Sequence, residues 1–169
     1  MKNCQQKLVL IRHGQSLWNQ ENKFTGIIDI NLSTKGVAEA EEASKTLVKN
    51  EIDIDIAFTS NLQRAINTCK IVLDNSRNYS KEIEIKCHSS LNERDYGDLT
   101  GKNKKEIADE YGIDCVHQWR RGFYNRPPNG ENLEDVCHRV SNYYHQEIKP
   151  SLRDNNVLIS AHGNSLRAL

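Results

Sequence analysis

The triplet Arg12-His13-Gly14 combines three residues that phosphoryl transfer to an imidazole would require. A histidine with a pKa near neutrality can act as an unprotonated nucleophile, and an adjacent arginine can hold phosphate oxygens in a fork. A glycine lets the backbone approach a ligand closely. A structural histidine at the end of a strand would show the same triplet. Taken alone, the triplet is equally compatible with a phosphoryl-accepting site and with a structural role.

Further residues favour a functional site around His13. The pair His162-Gly163 follows the last apolar run of the chain, and Arg64 lies in the first turn of a predicted helix, whose N-terminus favours anions. Glu93, in a polar loop, suits a general acid that later serves as a base, although spacing does not select Glu93 over Asp95. Each charged residue alone would be interpreted as a solvated surface group. Together with two histidines, they predict one small, positively charged site.

Alternating strands and helices are predicted to bring these residues together. Apolar runs predict four strands, the first buried and the third with one buried side, at residues 7–11, 54–59, 83–87 and 156–160. Helices are predicted to follow the capping residues Ser33, Ser60, Asn103 and Asn132, with Gly112 ending the third helix and a loop over residues 120–131. This alternation predicts an α/β fold of three layers with a mostly parallel central sheet. Ligands bind beyond the carboxyl ends of such strands, where both histidine-glycine pairs fall.

Bulk composition excludes several classes of protein. The 169 residues suit one domain, 1–169, and the 23 basic and 23 acidic residues cancel, so no overall field attracts nucleic acid or anionic lipid. No apolar run approaches the roughly 20 residues of a membrane span, and no signal segment is apparent. Five widely spaced cysteines argue against a disulfide framework or a zinc site. We therefore expect a cytoplasmic protein with no nucleic-acid or membrane partner. The sequence leaves its oligomeric state open, a homo-oligomer included.

Several segments match one known family from end to end of the chain. Beyond the Arg-His-Gly triplet, they are Asn19, Thr25-Gly26, Glu93-Arg94-Asp95-Tyr96-Gly97, Asn103-Lys104, Trp119-Arg120-Arg121-Gly122 and Ala161-His162-Gly163-Asn164-Ser165. On these segments the sequence resembles the cofactor-dependent phosphoglycerate mutases of the histidine phosphatase superfamily. The triplet marks only the superfamily. The mutase branch is favoured by Asn19, Thr25-Gly26, the loop from Glu93 to Gly97, Asn103-Lys104 and Trp119-Arg120-Arg121-Gly122.

The resemblance implies that His13 becomes a phosphohistidine, that Glu93 gives and takes a proton, and that Arg12, Arg64 and His162 surround the transferred phosphoryl group. It further implies a set of substrate-binding residues: Arg12, His13, Asn19, Thr25, Gly26, Arg64, Glu93, Arg94, Tyr96, Lys104, Arg120, Arg121, Gly163 and Asn164. The implied reaction interconverts 3-phosphoglycerate and 2-phosphoglycerate in glycolysis and gluconeogenesis. The implied cofactor is 2,3-bisphosphoglycerate, which primes His13, and no metal is expected.

Two departures from the family affect these expectations. Residues 123–133 form a shorter segment than in the longer members, and the chain stops at Leu169, where members continue with a helix and a tail that help to close the site. We therefore expect water to reach phospho-His13 more easily, which would raise phosphatase leakage.

Two alternatives to a mutase remain at this point. The first is a broad-specificity histidine phosphatase (phosphomonoesterase) that uses the same His13 and Glu93. The second is a non-catalytic module that binds a phosphate ligand. For either enzyme we expect phosphate labelling of His13 to be lost as the pH falls from about 8 to about 5, because a protonated imidazole has no lone pair for attack.

Overall fold

A parallel four-stranded sheet forms the centre of the protein. The computed structural model describes residues 6–75 and 82–169, so Cys4 lies outside the described residues. The strands are β1 (Leu8–Arg12), β2 (Ile56–Thr59), β3 (Glu84–Cys87) and β4 (Val157–Ala161). Their order across the sheet is β1-β4-β2-β3, and every neighbouring pair is parallel. The predicted parallel sheet is confirmed.

Helices of very different lengths connect the strands. They are α1 (Leu17–Gln20), α2 (Thr34–Lys49), α3 (Gln63–Asp74), α4 (Lys104–Tyr111), α5 (Ile113–Arg121), α6 (Leu133–Tyr143), α7 (Lys149–Ser151) and α8 (Gly163–Arg167). Short 3-10 turns occupy Ser89–Leu91 and Gly97–Leu99, and a π-helical turn, Tyr144–Ile148, joins α6 to α7. Within the two described ranges, no helix is long and apolar enough to cross a membrane.

Both faces of the sheet are covered, which confirms the predicted three layers. Successive residues of a strand point to opposite faces, and β4 is buried along its whole length. Val157 and Ile159 pack in a cluster with Val136 and Val140 of α6. Leu158 packs on the other side in a cluster that the helices α2 and α3 complete. A third cluster, away from the sheet, joins Phe24, Leu99, Ile107 and Val116 and so fixes α4 and α5.

The edge position of β1 contradicts the expectation of a buried first strand. Val9 and Ile11 are partly buried because they pack on the cluster of α2 and α3. Leu8 and Leu10, on the opposite face, are 38% and 46% exposed. The third strand follows its prediction more closely, since Ile85 packs on the same cluster as Val9.

Most of the predicted helix ends are confirmed. The side chains of Ser33, Asn103 and Asn132 cap α2, α4 and α6 by accepting from the N–H groups of Gly36, Lys105 and Asp135. Gly112 ends α4 in a left-handed conformation with φ of 89°.

Two predicted boundaries are wrong. The N-cap of α3 is Leu62 and not Ser60, whose hydroxyl group accepts from the N–H of Leu62 at 3.2 Å and bonds to His162 Nε2 at 2.7 Å. The predicted loop over 120–131 begins only at Gly122, because α5 continues to Arg121. Burial of Val116 in the third cluster stabilises this helix, which was not predicted from the sequence.

Candidate active site

A cavity of about 360 Å³ opens at the carboxyl end of the sheet. Its fourteen lining residues are Arg12, His13, Asn19, Lys23, Thr25, Gly26, Arg64, Glu93, Tyr96, Lys104, Arg120, Arg121, Gly163 and Asn164. The structure thus brings together all of the candidate residues predicted from the sequence except His162 and Arg94. Lys23 is the one lining residue that the sequence analysis did not single out.

His13 follows β1 directly, and its N–H donates to the carbonyl oxygen of Ala161 in β4 at 2.9 Å. Its Nδ1 lies 2.6 Å from the carbonyl oxygen of Gly14. A carbonyl oxygen can only accept, so Nδ1 carries the proton in this contact. The lone pair therefore remains on Nε2, which makes Nε2 the nucleophilic atom of the ring.

Burial keeps the His13 imidazole neutral. Desolvation, together with the positive charges of Arg64 and Arg12, lowers the pKa of His13 to about 3, although the hydrogen bond to the Gly14 carbonyl oxygen acts to raise it. The expected pKa near neutrality is therefore wrong. A neutral ring across the physiological range is what a nucleophilic role requires.

His162 lies next to His13 and is fully buried, and it is not among the residues that line the cavity. The two ring centroids are 4.9 Å apart. Burial, with the charges of nearby groups, lowers the pKa of His162 well below its usual range, so this ring is also neutral. Its Nε2 lies 2.7 Å from the hydroxyl of Ser60, while Nδ1 has no hydrogen-bond partner. Ser60 therefore orients His162, a role that no sequence signal indicated.

Arg64 is a fixed cation under the cavity. Its two terminal nitrogens donate to the carbonyl oxygens of Ile28 and Gly26 at 2.8 Å each, and its Nε has no partner. Burial lowers the pKa of Arg64 to about 10, which leaves the guanidinium charged at neutral pH. Thr25 Oγ1 is also buried without a partner. Such unpaired buried polar atoms are costly unless a ligand or water satisfies them, so these groups suit an anionic ligand.

The structure selects Glu93 over Asp95. One carboxylate oxygen of Glu93 accepts from the N–H groups of Arg94 at 2.8 Å and of Asn164, in the first turn of α8, at 3.2 Å. The Asp95 carboxylate instead accepts from the N–H of Gly97 at 2.8 Å and does not line the cavity. Of these two carboxylates, Glu93 is therefore the one placed to exchange a proton with a ligand in the cavity.

A second group of cations comes from α4 and α5. Lys104 is the first residue of α4, and Arg120 and Arg121 lie in the last turn of α5. Burial, together with the charges of Arg120 and Arg12, lowers the pKa of Lys104 to about 8. These side chains repel one another in the absence of a ligand. An anion bound among them would relieve that repulsion.

Arg94 has a different place from the one predicted. It is fully buried and does not line the cavity. Its Nη2 donates to the Tyr96 hydroxyl at 3.3 Å and to the Arg120 carbonyl oxygen at 2.9 Å. The Tyr96 hydroxyl also accepts from Asn164 Nδ2 at 3.3 Å. Arg94 thus supports residues of the cavity wall, and its direct contact with a substrate stays a prediction.

Lys23 adds a further cation at the cavity. It is ion-paired with Glu21 at 2.6 Å and lies 5.8 Å from the Trp18 ring centroid. Within residues 6–75 and 82–169, no three histidine, cysteine, aspartate or glutamate side chains are grouped to hold a metal ion. The lysine and arginine side chains that line the cavity are donors that suit an anion.

Comparison with known proteins agrees with this chemistry. A family model described as the histidine phosphatase superfamily (branch 1) matches residues 8–169. The 2,3-bisphosphoglycerate-dependent phosphoglycerate mutase of Cytophaga hutchinsonii is 50% identical over 163 residues, which cover 96% of this chain and 74% of that protein. The solved structure of Bacillus stearothermophilus YhfR is 31% identical with a TM-score of 0.81, over 96% of this chain and 76% of that one. The alpha-ribazole phosphatase of Shigella flexneri is 25% identical with a TM-score of 0.75, over 94% and 75%. The chain therefore belongs to the histidine phosphatase superfamily and, within it, to the 2,3-bisphosphoglycerate-dependent phosphoglycerate mutases.

Proposed function

We propose that this chain interconverts 3-phosphoglycerate and 2-phosphoglycerate through a phosphohistidine at His13, as a cytoplasmic enzyme of glycolysis and gluconeogenesis. The charge of the cavity carries this proposal. Its lining contains one carboxylate, Glu93, and six cations, which are Arg12, Lys23, Arg64, Lys104, Arg120 and Arg121. A ligand with several negative charges is the natural counterpart of such a lining.

The distribution of the cations favours a substrate with two anionic ends. Arg12 and Arg64 accompany the nucleophile His13, whereas Lys104, Arg120 and Arg121 come from α4 and α5. A simple phosphatase requires one phosphate pocket, but a mutase must hold a second anionic group while the first reacts. The 50% identity to a protein named as this mutase supports the same assignment.

The same residues fit 2,3-bisphosphoglycerate as the cofactor. Unpaired buried groups at one part of the cavity, Arg64 Nε and Thr25 Oγ1, can donate to one phosphate. Lys104, Arg120 and Arg121 would hold the other. When bound, this cofactor supplies the phosphoryl group that loads His13.

His13 and Glu93 would share the chemistry. Nε2 of His13 attacks phosphorus while the bond from phosphorus to the substrate oxygen breaks, and Glu93 gives that oxygen a proton. In the reverse direction Glu93 takes the proton of a substrate hydroxyl as that oxygen attacks phospho-His13. Arg12, Arg64 and His162 Nδ1 would stabilise the charge that spreads over the phosphoryl oxygens.

The decisive experiment is to incubate the chain with 3-phosphoglycerate, with and without 2,3-bisphosphoglycerate, and to follow the products by phosphorus NMR. We expect 2-phosphoglycerate to form only when the cofactor is present, and a His13→Asn variant to form none. Steady release of inorganic phosphate without isomerisation would instead establish the phosphatase alternative. No reaction together with tight binding of the cofactor would establish a non-catalytic binding module.

A further inference from the structure

The backbone around Glu93 is tied to an arginine outside the cavity lining. Arg139, on α6, donates from Nη2 to the carbonyl oxygen of Glu93 at 3.2 Å. Its Nη1 donates to the carbonyl oxygens of Asn92 at 3.0 Å and Ser90 at 2.7 Å. One side chain thus holds three carbonyl groups of the segment that leads into Glu93.

Glu131 holds the other side of the same segment. Arg139 grips its carboxylate with two bonds of 3.0 Å, from Nε to Oε1 and from Nη2 to Oε2. Glu131 Oε2 also accepts from the N–H of Asp95 at 2.9 Å, and the N–H of Glu131 donates to the Asp95 carbonyl oxygen at 2.9 Å. The ion pair therefore fixes the backbone immediately before and after Glu93.

The hydrogen bonds of Arg139 and Glu131 suit a role in positioning the backbone around Glu93 better than a general role in stabilising the fold. A guanidinium has five N–H donors in a fixed plane, and Arg139 makes five hydrogen bonds. A lysine could not reproduce this planar set. The side chains of Arg139 and Glu131 are roughly three-quarters buried, at 22% and 26% exposure. Water therefore has little access to replace their hydrogen bonds.

We propose that Arg139 and Glu131 are positioning residues that set the place of the Glu93 carboxylate for proton transfer. This inference rests on the proposed function, because it assigns Glu93 the role of proton donor and acceptor. Neither residue of the pair lines the cavity. Its effect on the reaction passes through the backbone of residues 92–95, and misplacement of a catalytic group by about 1 Å can cost as much as 100-fold in rate.

The test compares two phosphate donors that differ in their need for a proton. An alkyl phosphate such as 2,3-bisphosphoglycerate releases a poor leaving group that Glu93 must protonate, whereas 4-nitrophenyl phosphate releases a phenolate that needs no proton. Single-turnover phosphorylation of His13 is measured with each donor after rapid alkaline quenching. We expect Arg139→Gln to slow the alkyl donor by about 10- to 100-fold and the aryl donor by less than about threefold, because only the former uses the general acid.

A matched arginine provides the control. Arg126 also pairs with a carboxylate, that of Asp135, and donates to a backbone carbonyl, that of Gly130, but it does not bond to residues 90–95. Arg126→Gln should leave both rates unchanged. If Arg139→Gln does not fold, Glu131→Gln gives the same comparison, since this change keeps the shape of the side chain and removes its charge.

A second arm combines Arg139→Gln with Glu93→Gln. Once the carboxylate is gone, loss of Arg139 should slow the alkyl donor by no more than about twofold, because coupled residues show non-additive effects. Equal slowing of both donors, or full additivity in the double variant, would overturn the positioning role while leaving the proposed function intact. Labelling of the unmodified chain without isomerisation would overturn the mutase and not this inference. A wild-type chain that accepts phosphate from neither donor would overturn both.

Discussion

At the scale of single residues, reactivity at His13 is a property of its surroundings. The Gly14 carbonyl fixes the tautomer by accepting from Nδ1, which leaves Nε2 for attack. Burial and two arginines keep the ring neutral. These surroundings favour the neutral form of the ring. An isolated histidine would be protonated, and would lose its nucleophilic lone pair, below a pH of about 6.5. The surroundings of His13, and not the pH of the solution, therefore keep its ring unprotonated.

Phosphate labelling of His13 should consequently be independent of pH between about 5 and about 8. The pKa of the ring is lowered to about 3, so the fraction of unprotonated imidazole does not change across that window. The measurement is the initial rate of labelling from saturating 4-nitrophenyl phosphate, whose phenolate leaving group needs no proton from Glu93, with circular dichroism to show that the fold persists at each pH. This outcome reverses the expectation drawn from sequence. A loss of labelling with a midpoint near the ordinary histidine pKa would contradict it.

At the scale of elements, the site depends on how closely the loop after β1 approaches the start of α2. A Cβ at Gly36 would overlap the carbonyl oxygen of Gln15, and a Cβ at Gly14 would overlap the carbonyl oxygen of Gly36. The N–H of Gly36 also donates to the hydroxyl oxygen of Ser33, the N-cap of α2. Two glycines therefore set the distance between the nucleophile's loop and the helix beside it.

Gly36→Ala should destabilise the protein although alanine is the better helix former. The overlap with backbone atoms is expected to cost about 1–3 kcal/mol, which exceeds the propensity gain of up to about 1 kcal/mol. The free energy of unfolding from urea denaturation measures the balance. Gly163→Ala, in α8, is the matched comparison for stability, since its nearest neighbours would lie 3.9 Å from the new Cβ. Equal effects of the two changes would contradict this account of the close approach.

The ends of the strands and helices also show which features of the fold can be predicted from the sequence. Parallel strands, their order of appearance and most caps followed from apolar runs and capping residues, because these signals are local. The sequence predicts Ser60 as a helix cap. Its hydroxyl accepts from the N–H of Leu62, before the helix begins, and bonds to His162 across 102 residues of sequence. The position of α5 depends on Val116, which packs in a cluster with Phe24 and Leu99. Long-range contacts of this kind leave no local pattern.

The candidate site itself was largely predictable, because motif residues at strand and helix ends are brought to one rim by the topology. Lys23 and the buried place of Arg94 were not predictable in the same way. Both follow from side-chain packing, of Lys23 near Trp18 and of Arg94 under Tyr96. Arg139 likewise depends on α6 crossing the Glu93 segment. Residue type and position along the chain do not show whether a side chain lines the cavity or packs behind the residues that do.

At the scale of the whole molecule, the two buried histidines link the site to acid stability. His13 and His162 are held neutral in the folded state, with pKa values below that of an exposed histidine. Between pH about 3 and about 6.5, the unfolded chain therefore binds more protons at His13 than the folded chain does. The free energy of unfolding must rise with pH through this window and fall as the pH is lowered.

His13→Gln should reduce that slope, because it removes one of the two groups. Each histidine contributes up to about 1.4 kcal/mol per pH unit where its protonation differs fully between the two states. Urea denaturation at a series of pH values from about 4 to about 7 gives the slope directly. The exposed His117 supplies the control, as His117→Gln should leave the slope unchanged. If His13→Gln and His117→Gln gave the same slope as the unmodified chain, the folded protein would have to accommodate a charged His13, and the neutral nucleophile would lose its basis.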